Sequence, residues 1–237
     1  VSASQLDSFE KCPLKWKFRY IDRLPSERTL AQISGSFVHT VLEAMYELSP
    51  EDRVPENTKP LARKAWEAMI DTDEYKEYEF TDEEARQLMT RAWFLGKRLW
   101  EIENPSDINV KAIEIKIEFE LESGIAFIGY ADRLDEVKGG ICVVDYKSGK
   151  RPPKMFSADK KKPLYLYALG IAKMTGDAVK QGRLLFLGGP EPGIMSERIT
   201  DKILVQTEGE LITESDAIKV AHETAGVDLK ANPMVLC

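Results

Sequence analysis

Cysteine is scarce in this chain of 237 residues, and long hydrophobic runs are missing. The three cysteines, Cys12, Cys142 and Cys237, are too few and odd in number for a disulfide framework. We therefore expect a reducing compartment, the cytoplasm. No apolar run approaches the roughly 18 residues of a transmembrane helix, and nothing resembles a signal peptide, so we expect no membrane partner.

A surplus of positive charge, which would favour binding to nucleic acid, is also missing. Lysine and arginine number 33 against 40 acidic residues, which gives a net charge of −7 and by itself argues weakly against a nucleic-acid partner. The distribution is uneven, however, because seven basic residues and one acid lie between Lys147 and Lys162. This stretch, the basic segment, is either a solvated loop or a nucleic-acid contact, and composition leaves both open.

Hydrophobic periodicity divides the chain into a helical first part and a strand-rich second part. We expect helices over 4–20, from Gly35–Ser36, through Trp66, from Thr81, over 163–175 and over 213–225. The helix at Thr81 has the clearest start, because Thr81 and Glu84 form a capping-box pattern. Strands are expected from Val110 to Leu121, where apolar and charged residues alternate, and over 125–137, 141–146 and 183–187.

This order of elements predicts an α/β fold with a mixed central β-sheet flanked by helices. The length sets a prior of one to two domains. We expect a single domain over 1–237, with a helical insertion at about 51–105 and a catalytic core at about 111–206.

The most informative local pattern is a predicted hairpin that places Asp132 opposite Asp145. A two-residue turn at 138–139 sets this register and brings the Cβ atoms to roughly 4.5–5.5 Å, with Lys147 on the same face. Two facing carboxylates are destabilising unless a cation joins them, and a divalent ion would do so. In the alternative, both acids are solvated and Lys147 is their salt-bridge partner. A one-residue slip would separate the two carboxylates.

The hairpin residues lie in longer phrases that resemble RecB-like nucleases of the PD-(D/E)XK nuclease superfamily. Residues 129–135, GYADRLD, are similar to G-x-x-D-R-[IL]-D, and residues 143–149, VVDYKSG, to V-x-D-Y-K-[TS]-G. Residues 35–39, GSFVH, resemble G-x-x-x-H, and residues 2–16 resemble the opening S-x-S-x-[IL]…C-P-x-[KR]-[FW]. The resemblance covers about 1–50 and 111–176 and implies a restriction-endonuclease-like core.

The resemblance implies a metal-dependent deoxyribonuclease, an exonuclease of recombination, repair or phage DNA processing. Asp132, Asp145 and Lys147 would be catalytic, and His39, Asp132, Asp145 and the Tyr146 carbonyl would hold Mg²⁺ or Mn²⁺. Lys147 would orient the attacking hydroxide or stabilise the transition state. The substrate would be DNA, as a single strand or a duplex end, and a helicase or recombination protein the partner.

The resemblance also makes the basic segment an expected DNA contact. The residues concerned are Lys150, Arg151, Lys154, Lys160, Lys161, Lys162 and Tyr167. One position departs from the family pattern, because Pro163 stands where a glutamine associated with positioning nucleic acid is usual, which leaves the substrate geometry open. Glu43, one helical turn after His39, either supports that histidine or is solvated.

One branch of the family carries a [4Fe–4S] cluster held by four cysteine thiolates. Cys12, followed by Pro13, fits the first ligand position, and residues 232–237 resemble the start of the C-terminal group, with Cys237 as the last residue. We expect such a cluster only if the chain continues past Cys237. The alternative is that Cys12 and Cys237 are ordinary cysteines.

Two other functions stay open from the sequence. The first is a catalytically inactive nucleic-acid-binding module of the same fold, although binding alone does not need the facing carboxylates of Asp132 and Asp145. The second is a structural or interaction protein whose hairpin acids are solvated. Cleavage and binding of DNA with Mg²⁺, Mn²⁺ or chelator would separate the three.

Overall fold

The computed structural model describes residues 1–26, 28–72, 75, 78–153, 158–225 and 229–230. The helices are α1 (Ala3–Lys11), α2 (Pro13–Tyr20), α3 (Leu30–Glu47), α4 (Thr58–Ile70), α5 (Asp82–Lys97), α6 (Ala158–Thr175) and α7 (Asp201–Glu223). The strands are β1 (Val110–Glu120), β2 (Ala126–Val137), β3 (Gly140–Lys150), β4 (Val179–Gly188) and β5 (Gly193–Arg198). Short 3₁₀ turns lie at Pro50–Asp52, Pro55–Asn57, Arg98–Glu101 and Pro105–Asp107.

The strands form a five-stranded mixed sheet in chain order, β1-β2-β3-β4-β5. The pairs β1–β2, β2–β3 and β4–β5 are antiparallel. Strand β4 runs parallel to β3. A parallel pair needs a crossover connection, and α6 lies in that connection. The predicted α/β class with a mixed central sheet is confirmed.

Helices cover both faces of the sheet and create two hydrophobic cores. On one face, Trp16 of α2, Leu164 of α6 and Leu211 of α7 pack with residues of β1, β2, β3 and β4. On the other, α3, α4 and α5 pack against β3 and β4. Val143 belongs to the first core and Val144 to the second, so β3 is buried on both faces and holds its residues firmly.

The predicted hairpin register is confirmed. Val137 pairs with Gly140, and the ladder continues without a slip to Arg133 and Val144. Gly139 has a φ of +83°, in the left-handed region that glycine adopts without strain, which explains the tight turn.

The single helix expected over 4–20 is wrong, because α1 ends at Lys11 and α2 begins at Pro13. Cys12 between them is extended, with φ −153° and ψ 95°. Proline disfavours the helical conformation for the residue before it, and it is well suited to the first helical position. The Cys-Pro pair therefore produces a helix break that periodicity alone did not reveal.

Three helix starts also differ from expectation. Helix α3 begins at Leu30, after a capping box between Thr29 and Gln32, so Gly35–Ser36 lies within it. Helix α6 begins at Ala158 and contains Pro163, and α7 begins at Asp201 with Thr200 as its N-cap. The Thr81 capping box is confirmed. None of the described helices is long and apolar enough to cross a membrane.

Substitution of alanine for either of two glycines in helix interiors should change the free energy of unfolding in opposite directions. A Cβ at Gly170 of α6 would overlap the buried, β-branched side chain of Ile117, whereas a Cβ at Gly209 of α7 would meet nothing within 4 Å. We expect Gly170→Ala to lower the free energy of unfolding by about 1–3 kcal/mol through overpacking. Gly209→Ala should raise it by about 0.5–1 kcal/mol through helix propensity. Urea denaturation measures both, and equal effects of the two changes would contradict this packing.

Candidate active site

Four residues predicted from the sequence lie together where α3 meets β2 and β3. His39 Nδ1 lies 3.1 Å from Asp132 Oδ1. Lys147 Nζ lies 2.5 Å from Asp145 Oδ2. Helix α3 provides the histidine from one side of the sheet, and the β2–β3 hairpin provides the other three side chains. The structure therefore brings the predicted catalytic residues to one place.

Asp132 bonds to the backbone of β3 rather than only facing Asp145. The β2–β3 ladder ends at Arg133–Val144, and beyond this pair the Tyr146 N–H donates to Asp132 Oδ2 over 2.6 Å. Asp132 is thus hydrogen-bonded to the His39 imidazole through one oxygen and accepts a hydrogen bond from β3 through the other. Both aspartates are buried.

Near Asp132, the side chains of β1 and β2 that pack in one core are followed by side chains that pack in the other core. Ile113 pairs with Arg133 and both contact the α3 side, whereas Ile115 pairs with Ala131 in the opposite core. Residues two apart on a strand normally share a face, so the strand conformation must change between them. Glu114 lies at this change, across from Asp132, with a left-handed φ of +48°.

Glu114 is a candidate site residue that the sequence reading missed. It lines a cavity of about 340 Å³ together with His39, Glu43, Ser36 and Thr40. Loss of hydration, with the charges of Asp132 and Glu43, raises the pKa of Glu114 to about 7. The alternating pattern of β1 marked Glu114 only as a solvent-facing residue. A non-glycine residue with positive φ is strained and often functional, but this feature is visible only in the structure.

Electrostatics couple the remaining members of the site. Burial raises the pKa of Asp145, and the charge of Asp132 adds to this, although Lys147 acts in the opposite direction. Burial lowers the pKa of His39, but the hydrogen bond and charge of Asp132 and the charge of Asp145 outweigh it, so the pKa is raised. Glu43 also has a raised pKa, because of burial and its acidic neighbours.

A buried ionic network supports the site from behind. The Arg133 guanidinium contacts Glu103 at 2.8 Å and Asp135 at 2.7 Å, and it stacks on Tyr46 with 4.0 Å to the ring centroid. It also donates to the Tyr146 hydroxyl over 3.1 Å. Because Tyr146 lies between Asp145 and Lys147, this network fixes the segment of β3 that carries both. Sequence reasoning missed Glu103, which lies far from the motifs along the chain.

The residues present fit a divalent metal by chemical type. Carboxylate oxygens and an imidazole nitrogen are the donors that Mg²⁺ and Mn²⁺ accept. Apart from the Lys147 ion pair, Asp145 Oδ2 receives no hydrogen bond in the described part of the chain. Among the described residues, however, no three His, Cys, Asp or Glu side chains already converge into a coordinating group.

The expected DNA contacts are dispersed. Burial and the charges of Asp145, Asp132 and Glu114 raise the pKa of Tyr167, which therefore borders the site. Lys150 and Arg151 follow at the end of β3, and Lys160 is exposed on α6. On the same helix, two lysines pair with carboxylates: Lys161 with Glu197 at 2.5 Å, and Lys162 with Glu10 at 2.6 Å and Glu214 at 2.7 Å. Lys154 and Cys237 lie outside the described residues, and Cys12 is buried at the α1–α2 junction.

Comparisons with known proteins agree with this geometry. A model of the PD-(D/E)XK nuclease superfamily matches residues 1–237. The Gene 69 protein of Mycobacterium phage D29 is 28% identical over 213 residues, which cover 79% of this chain and 74% of that protein. The crystal structure of a candidate exonuclease from Eubacterium rectale shares the fold, with a TM-score of 0.61 and 16% identity over 100% of this chain and 85% of that one. Together, the family match and the shared fold support a nuclease with a nucleic-acid substrate.

The two aspartates predict different effects on stability in chelator. Asp132→Ala leaves the buried Tyr146 N–H without its acceptor, so we expect a loss of about 1–3 kcal/mol in the free energy of unfolding. Asp145→Asn removes a dehydrated charge that Asp132 repels, so stability should be unchanged or higher. Asp132→Asn is the matched control, because its amide oxygen still accepts the N–H. Denaturation in EDTA measures all three, and a loss of more than about 1 kcal/mol for Asp145→Asn would contradict the repulsion.

Glu114 predicts a pH dependence of the metal-free protein. Its folded pKa of about 7 lies above the usual 4.5, so the folded state binds more protons between these values. Stability should therefore fall as the pH rises from about 4.5 to about 7, and Glu114→Gln should flatten this fall. Thermal unfolding in EDTA across that range measures the effect, with the exposed Glu118→Gln as control. An unchanged slope in the Glu114 variant would contradict the raised pKa.

Proposed function

This chain belongs to the PD-(D/E)XK nuclease superfamily, and from this premise we propose that it is a metal-dependent deoxyribonuclease. The observation that carries the proposal is the clustering of acidic side chains around His39 and Lys147. Four carboxylates interact electrostatically there, and they belong to Glu43, Glu114, Asp132 and Asp145. Such a cluster is unfavourable without additional positive charge, which a divalent cation supplies.

We propose that Mg²⁺ or Mn²⁺ is held by His39, Asp132, Asp145 and the Tyr146 carbonyl, with Glu114 as an additional ligand. Members of the superfamily generally use divalent metals, which supports this assignment. When bound, the metal lowers the pKa of a water molecule and offsets charge on the phosphate. The Tyr146 N–H fixes one oxygen of Asp132, and the Arg133 network fixes Tyr146. The ligands thereby keep their orientation while the substrate enters.

Lys147 has the position that charge stabilisation requires. Its side chain is 32% exposed and its ammonium lies beside Asp145, so it can reach both solvent and a phosphate next to that carboxylate. A fixed ammonium at this point stabilises the negative charge that develops on the phosphate during hydrolysis. Lys147 also balances part of the acidic cluster before substrate binds.

The finer features of the function depend on weaker support. Exonuclease action is suggested by the structural relative from Eubacterium rectale, and an origin in a phage fits the phage relative. A role in phage DNA processing, in recombination or in repair, and a helicase partner, follow only from the resemblance seen in the sequence. The same is true of a [4Fe–4S] cluster, which needs four cysteine ligands where this sequence has three cysteines.

Three substitutions test the proposed chemistry. Asp132→Ala and Asp145→Ala should abolish DNA cleavage and weaken Mn²⁺ binding sharply, because each removes a ligand. Lys147→Ala should keep Mn²⁺ binding and lower turnover by about 10²–10³-fold or more. Labelled single- and double-stranded DNA with Mg²⁺, Mn²⁺ or EDTA gives the rates, and calorimetry gives metal affinity. Lys111→Ala, which breaks the exposed pair with Asp177, is the control and should match the parent.

Two results would contradict the proposal. Metal-dependent cleavage near the parent rate by either aspartate variant would remove the acidic cluster from the mechanism. Binding of DNA without cleavage by the parent, under any of the metal conditions, would favour the inactive nucleic-acid-binding module instead.

A further inference from the structure

A basic cleft adjoins the acidic site on a different part of the surface from the basic segment. It has a volume of about 910 Å³ and lies between α2, the connection after it, and the start of α3. Lys15, Arg19 and Arg28 line it, and no aspartate or glutamate does so among the described residues. On a protein with a net charge of −7, such a concentration of positive charge is a local exception.

The cleft borders the acidic site. Ser36 lines both the cleft and the cavity that contains His39 and Glu114. Arg28 donates to the Ser36 hydroxyl over 2.7 Å, so its guanidinium lies where the two meet. A ligand bound in the cleft therefore lies next to the cavity that His39 and Glu114 line.

Helix α2 presents the cleft with two cations and an aromatic ring on one face. Lys15, Phe18 and Arg19 are spaced three and four residues apart, so their side chains are neighbours on the helix surface. Trp16 anchors the opposite face in the core. Phe18 stays 42% exposed, although most large apolar side chains of this protein are buried.

Two of the cations of α2, Lys15 and Arg19, are available to a ligand. Within the described ranges, neither Lys15 nor Arg19 has a carboxylate within 4 Å, whereas Lys17 of the same helix pairs with Asp22 at 2.6 Å. Lys161 and Lys162 of the basic segment are likewise already paired. Helix α2 therefore provides two cations without a carboxylate partner in the described part of the chain, and sequence reasoning did not select them.

We propose that this cleft guides one unpaired nucleic-acid strand into the active site, an inference that rests on the proposed nuclease function. Lys15 and Arg19 contact successive phosphates, and Phe18 stacks on a base. Cationic grooves with exposed aromatic rings are typical of single-strand binding, because stacking requires a base that is not paired in a duplex. The positive cleft also attracts phosphate towards a site whose own carboxylates would repel it.

Binding in EDTA tests this proposal independently of cleavage. The probes are a fluorescent oligodeoxythymidylate and a duplex of equal length, titrated over a range of salt concentrations. Relative to the parent, Lys15→Ala/Arg19→Ala should weaken single-strand binding by about tenfold or more. It should also reduce the salt slope by about 1.4, because each lost phosphate contact on a single strand contributes about 0.7. Phe18→Ala should weaken it by about fivefold or more, and Phe18→Tyr should restore it.

The matched control removes two exposed lysines of α7, Lys202→Ala/Lys219→Ala, and should bind like the parent. Circular dichroism and thermal unfolding establish that every variant folds. Parent-like affinity and salt slope in the α2 double variant would overturn the proposal, and so would an equal loss of duplex binding. Absence of single-strand binding by the parent would overturn it as well. Because these binding measurements are made without metal, they test the cleft even if the protein does not cleave DNA.

Discussion

The carboxylate of Asp132 is the interaction on which the site depends. Asp132 lies on β2, contacts His39 of α3 through one oxygen, and accepts the Tyr146 N–H of β3 through the other. It also interacts electrostatically with Glu114 of β1, which has a left-handed φ of +48°. One side chain thus relates three strands and a helix. A buried carboxylate is stable only when its oxygens are satisfied, so the partners of Asp132 set the geometry around it.

The buried charge of Arg133, like that of Asp132, depends on the partners around it. A fully buried guanidinium is costly unless it is paired, and here two carboxylates and two aromatic rings surround it. The network joins Glu103, after the helical stretch, to Tyr46 of α3 and Tyr146 of β3. We infer that the network positions Asp145 and Lys147, because it constrains the backbone between them.

Charge is separated over a short part of the surface. Burial and the charge of Asp132 raise the pKa of Glu43, Glu114 and Asp145, whereas the neighbouring cleft carries Lys15, Arg19 and Arg28. An acidic cluster suits a metal but repels a polyanion, and a basic cleft does the reverse. Their shared boundary at Ser36 reconciles the two requirements of a metal-dependent reaction on nucleic acid.

Local patterns in the sequence determined the fold class and the hairpin register, and the family resemblance predicted that His39, Asp132, Asp145 and Lys147 form one group. The register depends on short-range rules of turn geometry and strand alternation, and the resemblance depends on motifs of a few residues each. Only the tertiary structure decided which other groups join them. Glu114 and Glu103 come from distant segments of the chain. Whether a lysine is paired, as Lys162 is and Lys15 is not among the described residues, depends on which carboxylates lie beside it in the folded protein. Such contacts arise from packing between elements, and no local pattern records them.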